Sequence, residues 1–197
     1  MPKNNRDYKL YFYGLFAAVL LLLIFKFDFQ IARFITGLRF GALDSVMLVF
    51  TPAIFQIILV LAASIIVYLS NKKKILHLWF SIAVSLAVSI ILKAIIARPR
   101  PFVEGISALS SLIKESYTRG DFSFPSNHAL IAFAALPFLP KKWFWPWLII
   151  SCLVAFSRVY FGLHYLSDVI AGAALGILAS YLTLKKTNGH HALKGVV

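Results

Sequence analysis

Apolar runs of a dozen to two dozen residues alternate along this chain with short polar interruptions, most of them lysine-bearing. A helix that crosses bilayer hydrocarbon needs about 20 mostly apolar residues, because each residue advances about 1.5 Å. Six segments meet or approach that length: residues 9–27, 51–69, 76–97, 128–139, 143–156 and 163–184. The pattern predicts an all-α, polytopic membrane bundle of six transmembrane helices. Between the first two, residues 28–50 mix Phe29, Ile31, Ala32 and Ile35 with Arg33, Arg39 and Asp44. That mixture predicts an interfacial amphipathic helix. With no internal repeat or composition break, residues 1–197 read as one domain with its core at 51–184 and a flexible tail at 187–197.

Composition strengthens the membrane reading. With 60% hydrophobic and 14% charged residues, the chain has too little polar surface to cover a water-soluble globule. A net charge of +13 raises nucleic-acid binding, but the bases lie between apolar runs rather than along one polar face, so no nucleic-acid partner is expected. One set of connections carries Lys3, Arg6 and Lys9, then Lys72 to Lys74, Lys141 and Lys142, and finally Lys185, Lys186 and Lys194. The other carries Asp28, Asp44, Glu104, Glu115 and Asp121 and the long polar stretch 98–127. The positive-inside rule puts the first set and both termini in the cytoplasm of a cell membrane. Residues 1–25 imitate a signal peptide, but Lys26, Phe27 and Asp28 stand where a cleavage site belongs, which predicts a retained first span. Trp143, Trp145 and Trp147 beside two lysines predict an interfacial aromatic anchor. The single cysteine, Cys152, is expected to pack in the core and forms no intrachain disulfide.

A few ionisable residues remain within or at the ends of the spans: Lys93, His128, Arg158, His164 and Asp168. Charge at membrane depth is costly and marks function, although a lone Lys93 also fits a lysine snorkelling to headgroups. Helical rise from the nearest cytoplasmic lysine gives depths of about 28 Å for Lys93, 20 Å for His128, 24 Å for Arg158 and 26 Å for Asp168. Four spans thus bring bases, imidazoles and a carboxylate to one level in the outer leaflet.

Lys93 precedes Arg100-Pro101 by seven positions, pairing an ammonium with a forked guanidinium as an oxyanion grip. Pro125-Ser126-Asn127-His128 opens the fourth span, where Ser126 or Asn127 caps a helix whose free N–H groups suit an anion, or merely caps it. His164 and Asp168 are four apart, so on a helix the carboxylate holds one imidazole nitrogen and bares the other as a nucleophile. A metal site is the rival for such a cluster, but the surrounding cations repel a divalent ion and attract phosphate. Arg98-Pro99 duplicates the Arg-Pro pair, and its arginine also fits an interfacial anchor. Gly172 and Gly176 suit tight packing inside the bundle.

In this order and spacing, Lys93 with Arg100-Pro101, Pro125-Ser126-Asn127-His128, and Ser157-Arg158 with His164 and Asp168 resemble the signature of the type 2 phosphatidic acid phosphatase superfamily. The resemblance implies a lipid phosphatase in which His164 attacks phosphorus, Asp168 orients it, and His128 serves as acid and then base. It implies that Lys93, Arg100, Ser126, Asn127 and Arg158 hold phosphate, with no metal and no cofactor. Asn127 departs from the family's glycine, and its setting is similar to that of undecaprenyl diphosphate phosphatases, which implies a polyprenyl diphosphate substrate. Phosphatidylglycerophosphate, phosphatidate and lipid A are the alternative substrates. Transfer of the phosphoryl group to another lipid is a further alternative, and a non-catalytic anion or lipid transporter is the reading from another class. The site also resembles that of vanadium haloperoxidases, which are soluble.

Overall fold

The computed structural model describes residues 23–106 and 121–193, with side chains through 185. The start of the expected first span (9–22), Glu115 and the side chains of the expected tail lie outside the described residues. All regular structure among the described residues is helical. Helix α1 covers 23–37, α2 Gly41–Phe50, α3 Ala53–Asn71, α4 Ile75–Ile96, α5 Asn127–Ala134, α6 Lys141–Tyr160 and α7 Leu166–Leu193.

Three segments among the described residues are long and apolar enough to cross a membrane: Ala53–Ile96, Lys141–Tyr160 and Leu166–Lys185. The first has 44 residues, about 66 Å if straight, which is twice a hydrocarbon core. It folds at Lys72–Lys74, where Asn71 leaves helical geometry and its side chain accepts a hydrogen bond from Lys73 N. The resulting hairpin buries Leu59, Ala63 and Val67 of α3 with Leu78 and Ile82 of α4. On their other faces Ile57, Ile58, Leu61, Ile65 and Ile90 stay more than half exposed, which suits hydrocarbon rather than water.

Several expectations need correction. Asp28 belongs to α1 rather than to a separate interfacial segment, and it is 1% exposed. Helix α7 runs on to Leu193, into the expected tail. Trp147 is no interfacial anchor: it is buried and donates its indole N–H to Ala132 O at 2.9 Å. Cys152 is exposed on α6 rather than packed in the core. Helix α5 and the 3-10 turn Leu136–Phe138 that extends it are too short to cross hydrocarbon and are packed inside the bundle.

Helix α5 reaches its central place because α7 presents glycines to it. A Cβ on Gly172 would collide with Ser126 O, and one on Gly176 with Leu130 O. Small residues allow such close backbone approach, as the sequence predicts. Helix α4 contributes a second small stripe, the fully buried Ser81, Ser85 and Ser89. Ser180 of α7 donates to Ala134 O at 2.7 Å and Ser89 to Asn127 Oδ1 at 2.5 Å, so α5 is held from two sides.

Candidate active site

Where α4 ends, the chain must turn back into the bundle. Ala97 adopts a left-handed conformation (φ 47) and donates its N–H to Lys93 O, a geometry that costs a non-glycine residue about 1–2 kcal/mol. Past it, Arg98 O accepts from Ser123 N at 2.8 Å, which ties the two ends of the long connection together. A similar reversal follows α6. Gly162 takes φ 64, and Arg158 O accepts the N–H groups of Leu163 at 2.9 Å and His164 at 3.2 Å.

These turns surround a cavity of about 260 Å³. Lys93, Arg100 and Arg158 supply its cations, and His128 and His164 its imidazoles. Asp121, Phe122 and Asn127 complete the wall. Six of the eight residues proposed from sequence, Asn127 included, therefore line one cavity. Ser126, one residue outside the wall, is fully buried, and its hydroxyl has no hydrogen-bond partner among the described residues. It occupies the cap position of α5 without making the expected side-chain cap. Asp168 lies behind His164.

Each cation is held by neutral acceptors as well. Lys93 Nζ donates to Phe122 O at 2.7 Å, and Arg100 donates to Asp121 O and Leu163 O, both at 2.9 Å. Arg158, 1% exposed, donates from one nitrogen to Thr51 O at 2.7 Å and Thr51 Oγ1 at 2.8 Å.

His164 differs from its expected setting. It lies in the connection 161–165, ahead of the first turn of α7, so the four-residue spacing to Asp168 is not a helical i,i+4 pair. The two still meet, with Nδ1 at 3.6 Å from Asp168 Oδ2, longer than a hydrogen bond. Nε2 is 3.2 Å from Arg100. A guanidinium only donates, so Nε2 carries the lone pair and Nδ1 the proton. Burial, then the charges of Arg100, Arg158 and Lys93, hold the His164 pKa well below 6.5 and keep the ring neutral. A neutral imidazole with its bare nitrogen among three cations can attack an anionic phosphorus centre. His128 Nε2, buried and without a hydrogen-bond partner among the described residues, can donate or remove a proton in the same cavity.

The support behind His164 was not legible in the sequence. Arg98 is no interfacial anchor: it donates to Asp168 Oδ1 at 2.9 Å, Ser167 Oγ at 2.7 Å and Asp28 Oδ2 at 3.0 Å. Asp168 Oδ2 also accepts from Ser123 Oγ and from Tyr165 N, the latter at 2.8 Å. Asp168 O accepts from Ser126 N at 2.9 Å, joining the start of α5 to that of α7. Asp28 in turn accepts from Ser167 N at 3.0 Å. Among the described residues, no group of three or more His, Cys, Asp or Glu is arranged to hold a metal.

The arrangement has known counterparts. The chain is 28% identical over 162 residues to undecaprenyl-diphosphatase BcrC of Bacillus subtilis, covering 79% of this chain and 81% of that protein. It is 33% identical over 127 residues to an undecaprenyl-diphosphatase of Sulfolobus acidocaldarius, covering 62% of this chain and 60% of that one. The crystal structure of a transmembrane PAP2-type phosphatidylglycerolphosphate phosphatase from Bacillus subtilis superimposes with a TM-score of 0.68 at 25% identity, covering 91% of this chain and 94% of that one. The pattern of the PAP2 superfamily matches residues 74–191, more than half of the sequence. Since those residues hold every side chain that lines the cavity, the match and the geometry describe one object, and the chain belongs to the PAP2 superfamily.

Proposed function

We propose that this multi-pass membrane protein hydrolyses a polyprenyl diphosphate of the undecaprenyl type, releasing inorganic phosphate through a phosphohistidine intermediate. Its family relatives are phosphatases of lipid phosphate esters and diphosphates, and this chain is a hydrolase of that kind. The single observation that carries the reading is the cavity in which His164 and His128 share walls with Lys93, Arg100 and Arg158.

The terminal phosphate displaces His164 Nε2 as the acceptor of Arg100, which brings phosphorus beside the bared nitrogen. Lys93, Arg100 and Arg158 hold the non-bridging oxygens, with the Ser126 hydroxyl and Asn127 at the mouth of α5. As the N–P bond forms, the bond from phosphorus to the leaving lipid oxygen breaks, and His128 gives that oxygen its proton. Asp168 stabilises the positive charge that develops on His164. His128, now neutral, takes a proton from water, whose oxygen attacks phosphorus and frees His164 and inorganic phosphate.

In this reading residues 1–197 form one domain of six membrane helices, α5 being the shortened fourth, with an interfacial segment before α3. The lysine clusters at Lys72–Lys74 and Lys141–Lys142 face the cytoplasm with both termini, and the cavity opens toward the opposite leaflet. Likeness to two undecaprenyl-diphosphatases supports the polyprenyl substrate, while likeness to the phosphatidylglycerolphosphate phosphatase structure supports that lipid as the second reading. Phosphate release by the purified protein across polyprenyl diphosphate, phosphatidylglycerophosphate, phosphatidate and lipid A tests both. Release from none of them by wild type, with His164→Ala behaving identically, refutes the enzymatic reading. Labelled phosphate recovered on a second lipid instead of in water indicates transfer.

A further inference from the structure

A second concavity of about 380 Å³ adjoins the anion cavity and shares Asn127 and His128 with it. Its other walls are apolar, from Ile57, Val60 and Leu61 of α3, Trp79 of α4 and Ile131 of α5, with one exception. Gln56 is the only polar residue between Ala53 and Ala63. It is 7% exposed, and its amide nitrogen and oxygen are both buried with no hydrogen-bond partner among the described residues. A buried amide left unpaired is costly, so such groups are normally satisfied by protein, water or a ligand.

Gln56 sits at the end of the groove nearest the anion cavity. Thr51, two residues before the start of α3, holds the Arg158 guanidinium that lines that cavity. Trp79, four residues into α4, marks the other end, close to the turn at Lys72–Lys74. Counted from that turn, Gln56 stands about 22 Å along α3 and Trp79 about 6 Å along α4, so the groove runs about 16 Å down the bundle. A ligand that bridges the two concavities has an anionic head, an apolar tail and an oxygen-bearing link between them, and the link passes Gln56.

We propose that the groove holds the hydrocarbon tail of the lipid whose phosphate enters the anion cavity, and that the Gln56 carboxamide reads the oxygens linking the two. In a diphosphate this link is the inner phosphate, to which the amide N–H donates. The inference rests on the lipid phosphatase reading and deepens it, since it makes Gln56 a specificity-determining residue for diphosphates.

The test compares kcat/KM of wild type, Gln56→Leu and Ile57→Trp, as full chains in detergent micelles. Its three probes are a long-chain polyprenyl diphosphate, the matching monophosphate and tail-less phenyl phosphate, and thermal unfolding is measured in parallel. Gln56→Leu is expected to lower kcat/KM for the diphosphate about tenfold more than for either other probe. Ile57→Trp, which fills the groove, is expected to raise KM for both lipids at least tenfold more than for phenyl phosphate. Equal losses on all three probes mean general damage and overturn the groove assignment, as do equal lipid preferences in all three proteins. Wild type that cleaves phenyl phosphate but neither lipid overturns the lipid phosphatase reading itself.

Discussion

Arg98 joins Asp28, 1% exposed, and Asp168, fully buried, through bonds of 3.0 and 2.9 Å, so its removal strands two carboxylates in a low-dielectric interior. Breaking one buried pair by deleting a partner costs about 3–5 kcal/mol, because the remaining charge loses its compensation. The arginine is itself 17% exposed, and Ser123, Ser167 and the Tyr165 N–H still serve the acids. The lower part of that range, about 3 kcal/mol, is therefore expected for Arg98→Met. At about 2–4 °C per kcal/mol for a chain of this size, the midpoint falls by about 6–12 °C in detergent. Asp168 loses its anchor opposite His164, so kcat should fall while KM changes little. Adding Asp28→Asn removes one stranded charge and should recover part of the midpoint, a coupling of about 0.5–3 kcal/mol in a double-mutant cycle. Arg98→Met with an unchanged midpoint and kcat refutes the claim that this arginine holds the acid in place.

Further outcomes follow from the same geometry. His128→Ala should lower kcat about 10²–10⁴-fold for substrates with poor leaving groups and less for phenyl phosphate, measured by steady-state phosphate release. Gly176→Val should prevent α5 from seating on α7, seen as loss of both activity and a cooperative melt, whereas Gly41→Val, with no atom of the described residues within 4 Å of the added Cβ, should melt near wild type. His164 is held below pH 6.5, so its nucleophilic neutral form persists at acid pH, and the limb of kcat/KM due to this ring should lie below 6.5. The unfolded ring takes up a proton below 6.5 and the folded ring does not, so stability should also fall as pH drops through that value. A pH profile whose acid limb from His164 lies at or above 6.5 contradicts this.

The parts of the site that were legible were ionised groups inside apolar runs. Lys93, His128, Arg158, His164 and Asp168 stand out because hydrocarbon makes their presence costly, and all but Asp168 line the cavity, with Arg100 and Asn127. Arg98 was misread because two Arg-Pro pairs stand side by side, and spacing selects the one facing the ligand without saying what the other touches. Asp28 was hidden by Lys26 and the charges that follow, which suggest the end of a span rather than a buried partner 70 residues from Arg98. Gln56 carries no charge and so raised no alarm within α3. Helix boundaries slipped where polarity and conformation disagree: Leu163 is apolar, yet the turn through Gly162 delays α7 until Leu166. The brevity of α5 was legible from the few residues between His128 and Leu139. Its burial was not, because it depends on glycines and serines of α7 and α4 meeting it in space.

The tethers on the cations bear on transition-state binding. Carbonyls of Phe122, Asp121, Leu163 and Thr51 fix Lys93, Arg100 and Arg158 before any ligand arrives, so these donors do not have to be ordered during the reaction. Fixed donors favour the geometry in which charge spreads over three equatorial oxygens, with His164 Nε2 and the leaving oxygen in line. Vanadate adopts that five-coordinate arrangement on a histidine nitrogen, whereas inorganic phosphate supplies only the tetrahedral ground state. Transition-state analogues bind about 10²-fold or more tightly than ground-state ligands where an enzyme is built this way. Competitive inhibition constants for vanadate and phosphate should therefore differ by at least that factor in wild type, and His164→Ala should erase the difference by removing the axial nitrogen. Equal constants in wild type mean that the cavity recognises anions without favouring the reaction, and the transporter reading then takes precedence over the phosphatase.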